Sequence, residues 1–296
     1  MLIITADDFG FSPSVNEAVL RAAEFGTLEA ASLMTNMPFA EEAVAAMKQR
    51  APHLSLGLHF ALTSGTACAP QEEVFLLVDG DGFFRHGFGG LLKLLRGKNA
   101  VEVKRQIQQE FTAQLAEADR LGREHGVEFD RLDSHQHVHV LPGIFEALFD
   151  EAKQRHWTLR IPRERFGGFG RFARRCFSWG PVGLLKREIL NRFLPTIEGP
   201  DYFGILDTGK MDAVAWREIL AVLNRPAEVN IHPSLEPGAD EAAWRCSNGD
   251  RVFHRSAWRR REFDAIVNEE FREMVAPLSA MPTSPSSGRL PTDPPV

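Results

Sequence analysis

The chain has no cysteine framework. Cys68, Cys176 and Cys246 are widely spaced and form no CxxC pair, which excludes a disulfide scaffold and a cysteine zinc site and suits free thiols in a reducing compartment. Positive charge is not in excess either. The 34 Lys and Arg against 40 Asp and Glu give a formal charge of -6, so nothing in the overall balance attracts a phosphate backbone, and no nucleic acid partner is expected. No run approaches the roughly 18 consecutive apolar residues of a membrane span. Met1 leads straight into the strand-like LIITADD, without the basic and apolar regions of a signal peptide, and a cytoplasmic protein is expected. Internal repeats are also lacking.

What is present is an alternation. Short strand-like runs take turns with helical patterns, the signature of βαβ units and a parallel sheet. Strands are expected at residues 2–7, 30–35, 54–60, 129–134, 158–162 and 228–232, and helices at 15–25, 39–49, 101–125, 144–155 and 213–223. Ser14 and Glu17 have capping-box spacing before the first helix, and Gly26 stands at its end. Residues 63–90, rich in glycine and turn formers, read as a long loop of the kind that shapes a pocket. At 296 residues the chain suits one α/β barrel domain, expected over 1–276, followed by a disordered Pro- and Ser-rich tail over 277–296. Between Arg163 and Arg192, eight Lys or Arg stand against two Glu and are interleaved with Phe166, Phe169, Phe172, Phe177 and Trp179. This reads as an insertion: either a lid packed on the barrel, or a surface for an anionic or lipid-bearing partner and so for peripheral membrane contact.

Three hydrophobic runs end on metal-ligating side chains: IITADD on Asp7 and Asp8, LSLGLH on His59, and RLDSHQHVH on His135, His137 and His139. If these strands share one parallel sheet their carboxyl ends converge, and two imidazoles with one carboxylate make the ligand set of an open catalytic metal site. Each element alone has a plainer reading. A DD pair caps helices and turns, and a histidine after alternating apolar residues is often a hydrogen-bonded core residue. Strand neighbours point to opposite faces, but at a strand's end the chain can turn and present both aspartates, one to a metal and one to a proton. His135, His137 and His139 lie two apart and would share one side of an extended chain. With Asp8 and His59 in place, one of them completes the set and the others line the pocket or pack. His232, in VNIHPS, suits either a neutral ligand or a general acid; the acid fits amide hydrolysis, which must protonate a leaving amine. Asp133 is placed to orient an imidazole or to stabilise a turn.

The segments TADDFGFSPSVNEAV, GLHFALTSG, DSHQHVHVLP, LRIPRE and VNIHP occur in this order over Met1 to Pro233, and together they resemble the YdjC-like carbohydrate deacetylases. That group includes chitooligosaccharide deacetylases and hopanoid-biosynthesis-associated deacetylases. The resemblance implies an α/β fold, an irregular (β/α) barrel with parallel strands. It also implies one divalent metal ion, Zn or Mg, held by Asp8, His59 and His135, with Asp7 as general base, His232 as general acid and Arg160 lining the site. The implied reaction removes an acetyl group from an N-acetylated amino-sugar, in an oligosaccharide or glycoconjugate, and releases acetate. The stretch from Arg163 to Arg192 does not match the saccharide-specific branch and leaves room for a lipid-linked substrate. Two rivals fit parts of the pattern: a two-His-one-carboxylate Fe(II) oxygenase, which shares the ligand count, and a sugar-binding protein without catalysis. The second carboxylate, Asp7, suits hydrolysis better than oxygenation.

Overall fold

A computed structural model of the chain describes residues 1–164, 187–194, 197, 199–238 and 248–279. Its strands are β1 (Leu2–Phe9), β2 (Ala30–Leu33), β3 (Ser55–Phe60), β4 (Phe129–Ser134), β5 (Thr158–Leu159), β6 (Asp201–Phe203) and β7 (Ala227–Ile231). All pair in parallel in one sheet, in the order β5-β4-β3-β2-β1-β7-β6. Helices cover a parallel sheet on its faces, so its strands must be apolar, and Leu2, Ile4, Leu33, Leu56, Leu58, Leu132, Val229 and Ile231 all lie in the core. The two edges meet. An isolated parallel bridge joins Glu164, beyond β5, to Tyr202 of β6, and the buried Glu164 carboxylate accepts hydrogen bonds from the backbone N–H of Leu206 at 2.7 Å and of Gly204 at 3.4 Å. The fold is the irregular barrel that the resemblance implied.

The helices are α1 (Pro13–Phe25), α2 (Ala40–Arg50), α3 (Phe88–Leu95), α4 (Ala100–His125), α5 (Phe145–Arg155), α6 (Ala213–Leu220), α7 (Asn248–His254), α8 (Trp258–Ile266) and α9 (Glu269–Ser279); residues 187–193 are helical too. Helix α1 corrects the expected capping box. Pro13 opens it, and Ser12, held extended before the proline, accepts the Val15 N–H at 3.3 Å. Ser14 instead accepts from the N–H of Glu236, while Glu17 pairs with Arg21 and Arg50. Gly26 closes the helix in the left-handed region at φ 88°, as its position suggested. The expected loop over 63–90 gives way to α3 at Phe88.

Helix α4 turns a polar edge inward. Buried Gln114 bonds both the N–H and the carbonyl of Ala61, Glu110 accepts from the N–H groups of Cys68 and Ala69, and Gln106 accepts from that of Leu76. These contacts pin the loop after β3. Neither β6 nor α7 to α9 was expected from the sequence. Most of the 163–192 insertion, Cys176, Cys246 and residues 280–296 of the expected tail lie outside the described residues; α9 runs through Pro277, past the expected tail boundary. No helix among the described residues is long and apolar enough to cross a membrane.

Candidate active site

The aspartate pair sits at an irregularity in β1 rather than at its end. Pairing with β2 shifts register between Ala6 and Phe9, and Asp8 takes φ 64°, a left-handed conformation rare for a residue other than glycine. The local rotation allows both Asp7 and Asp8 to reach the interior, where both are buried. Backbone strain of this kind concentrates at functional sites.

Asp8, His59 and His135 converge, with ligand atoms all within 4.8 Å of one another. Asp8 Oδ1 lies 3.0 Å from His135 Nδ1 and 3.7 Å from His59 Nε2. Donors bound at about 2.1 Å around one tetrahedral ion stand about 3.4 Å apart, so these spacings fit a divalent cation. The His59 tautomer is fixed from behind. Its cross-strand neighbour Asp133 lies 2.5 Å from Nδ1, and an ionised carboxylate only accepts, so Nδ1 carries the proton and the Nε2 lone pair is left for a metal. Burial opposes the charge on Asp133, but Arg160 and His59 outweigh it and hold the carboxyl below the usual range; Ser32 donates to its other oxygen at 2.6 Å. Burial likewise opposes ionisation of Asp8, and Arg259, with Nη1 2.9 Å from Oδ2, together with His135 overcomes it.

Arg160 is the hub of the interior. Its guanidinium forks onto both oxygens of Asp7, at 2.8 and 2.9 Å, and also reaches Asp133 and Glu228, each at 2.9 Å. Asn230 donates to Asp7 Oδ2 at 3.0 Å, and His232 Nε2 lies 3.8 Å from that same oxygen. Burial pushes His232 down to about 4, so its imidazole is neutral near pH 7.

The three-histidine segment corrects the extended reading. The strand ends at Ser134, and His135 to Val140 form a 3₁₀ segment with Gln136 and His137 at φ 55° and 59°. Only His135 enters the cluster. His139 packs, with Nδ1 2.5 Å from Ser134 Oγ and Nε2 3.1 Å from the carbonyl of Arg160, and burial pushes it down to about 4. His137 sits edge-on to Tyr202 with ring centroids 5.7 Å apart.

Several site residues escaped the sequence reading. Glu228 and Asn230 precede His232 at a two-residue spacing on one face of β7, and polar residues alternating along a buried strand were a legible signal. Arg259, Glu262 and His254 carry none: WRRREF reads as a solvated basic helix, yet Arg259 and Glu262 are buried and His254 stacks on Phe11 at 3.7 Å.

Comparison with known proteins agrees with this architecture. The chain is 34% identical over 161 residues to a carbohydrate deacetylase of Brevibacillus brevis, a match covering 54% of this chain and 59% of that one. A chitooligosaccharide deacetylase of Enterobacter sp. is 30% identical over 165 residues, 55% of this chain and 60% of its own. The chain thus spans about three-fifths of the length of these relatives. A carbohydrate deacetylase of Xenopus laevis is 28% identical and covers 92% of both chains. Among solved structures, a protein of Enterococcus faecalis described as a cellobiose-phosphate cleavage protein superposes with a TM-score of 0.61 at 20% identity, covering 93% of this chain and 94% of that one, which is a likeness of fold. The YdjC-like protein family matches residues 1–277, and the chain belongs to that family.

Proposed function

We propose that the chain is a divalent-metal-dependent carbohydrate N-deacetylase that hydrolyses the acetamide of an N-acetylated amino-sugar to acetate and the free amine. The observation that carries this reading is the convergence of Asp8, His59 and His135 within 4.8 Å beside a second, separately held carboxylate, Asp7. Relatives named for carbohydrate deacetylation support the substrate class. Asp8, His59 and His135 would hold the ion, which in such a site polarises a carbonyl and makes water more acidic. Zn and Mg are the expected metals.

The chain's own groups divide the remaining work. Arg160 and Asn230 hold Asp7 in a fixed orientation, so that it accepts the proton of the attacking water. His232, whose Nε2 lies 3.8 Å from Asp7 Oδ2, donates to the departing amine; its ring is neutral at rest, and the proton it gives up is replaced within the cycle. Asp133 holds the His59 ring in place. An oxygenase of the same ligand count has no use for a fixed carboxylate and an imidazole 3.8 Å apart beside the ligands. Acetate release from N-acetylglucosamine oligomers, peptidoglycan fragments and glycolipids by metal-reconstituted protein tests the reading. Acetate is expected from at least one class, and oxygen-dependent turnover without acetate would replace the proposal with the oxygenase.

A further inference from the structure

Helix α8, one of the helices beyond β7, carries a carboxyl group that the reaction above does not use. Glu262 is buried, and its two oxygens accept the backbone N–H of His232 at 2.6 Å and of Met211 at 3.2 Å. The oxygen that holds the His232 backbone also lies 4.0 Å from Nδ1 of the His232 ring. That nitrogen is buried and has no hydrogen-bond partner among the described residues, while Nε2 on the far side of the ring faces Asp7 at 3.8 Å. A buried imidazole nitrogen without a partner is unusual, and the group nearest to completing it is a carboxyl already anchored to the same residue.

We propose that Glu262 is the positioning residue and proton reservoir of His232: a small tilt of the ring brings Nδ1 into hydrogen-bond reach of the Glu262 carboxyl, and the pair acts as one acid. This rests on the deacetylase reading and extends it. As the amine departs, the Nε2–H bond breaks and an N–H bond to the amine forms, while the Glu262 O–H bond breaks and Nδ1–H forms. A carboxylate and a neutral imidazole remain, so no net charge appears on the ring. The proton that Asp7 took from water then returns through Nε2, and the Nδ1 proton goes back to Glu262. Burial pushes Glu262 up to about 7 and His232 down to about 4, so at neutral pH and below the pair's proton rests on Glu262. The charged and titratable groups facing the pair are Asp7 and Asp8 from β1, His59 from β3 and Arg259 from α8 itself, and the Phe253 ring of α7 meets His232 edge-on at 5.0 Å.

The test compares two substrates whose leaving groups differ: the N-acetylglucosamine dimer, whose amine must be protonated, and para-nitrophenyl acetate, whose phenolate need not be. Glu262→Gln should lower amide hydrolysis by about a hundredfold or more and ester hydrolysis far less, and remove the alkaline limb near pH 7 from the amide profile. His232→Ala should show the same selectivity, the double variant should lose little more, and Glu262→Asp should recover part of the amide rate. Equal losses on amide and ester, or losses that multiply in the double variant, would overturn the proposal. Nitrogen NMR of histidine-labelled protein reads the pair without turnover: a proton on Nε2 with Nδ1 accepting, altered by Glu262→Gln, is expected, and a ring insensitive to that change contradicts it. A wild-type protein that hydrolyses neither substrate would sink the deacetylase reading, while the NMR result would still decide the pairing.

Discussion

Asp7 and Asp8 are chain neighbours, yet their surroundings assign them different work. Asp7 is held by Arg160 and Asn230, whereas Asp8 keeps one oxygen toward two imidazoles and gives the other to Arg259. Asp7→Asn should therefore retain bound metal but lose turnover by about a hundred- to ten-thousand-fold, whereas Asp8→Ala should lose the metal itself; metal analysis beside acetate assays separates them, and metal loss in the Asn variant would mean the roles are exchanged. Asp133→Asn weakens the hold on the His59 tautomer, and metal affinity should fall about 10- to 100-fold by calorimetric titration. Arg160→Met leaves Asp7, Asp133 and Glu228 without their shared cation and should cost about 3–5 kcal/mol in denaturant unfolding. At this scale the sequence was legible where candidate ligands close strand-like runs, as at Asp8 and His59, which the fold brings together. It was opaque where a side chain's partner is remote, as with Arg259 and Asp8, which are brought together only by the fold.

Among the elements, α4 bears most on the site without touching the candidate ligands. Its Gln106, Glu110 and Gln114 hold the loop after β3, from which Ser64 Oγ reaches His135 Nε2 at 3.4 Å. Burial pushes Glu110 up to about 7 against the pull of Gln114 and the Cys68 and Ala69 N–H groups, from an ordinary value of 4.5. Between those values the folded chain holds a proton that the unfolded chain has released, so this group's stabilisation is complete below about 4.5 and lost as pH rises through 7. His139 and His232, lowered from 6.5 to about 4, act with the opposite sign, their stabilisation being lost as pH falls through 4. The difference in melting temperature between wild type and Glu110→Gln isolates the glutamate. Wild type should lose ground to the variant as pH rises from 5 to 8, and a constant difference would show that Glu110 titrates normally. Apolar periodicity revealed α4 almost to the residue, since a long amphipathic stripe is a strong signal. The segment at His135 to Val140 was misread because spacing in sequence says nothing about a left-handed turn, and β6, with three residues, is too short for any alternation to register.

For the whole molecule, closing the sheet and building the site draw on neighbouring residues of the same segments. Arg160 follows β5 and Glu164 makes the closing bridge to Tyr202, while the helices beyond β7 send Arg259 and Glu262 back to the strand ends. In a parallel barrel the carboxyl ends of the strands collect on one face, which is where Asp8, His59, His135 and His232 meet. The central claim, that these residues form a metal-dependent deacetylase site, is tested most directly by acetate release from the N-acetylglucosamine dimer as a divalent ion is titrated into metal-stripped protein. The account predicts no release without metal, a rate that saturates at about one ion per chain, and no recovery by Asp8→Ala at any concentration. Release that is indifferent to chelation, or equal in the Asp8 variant, would contradict it.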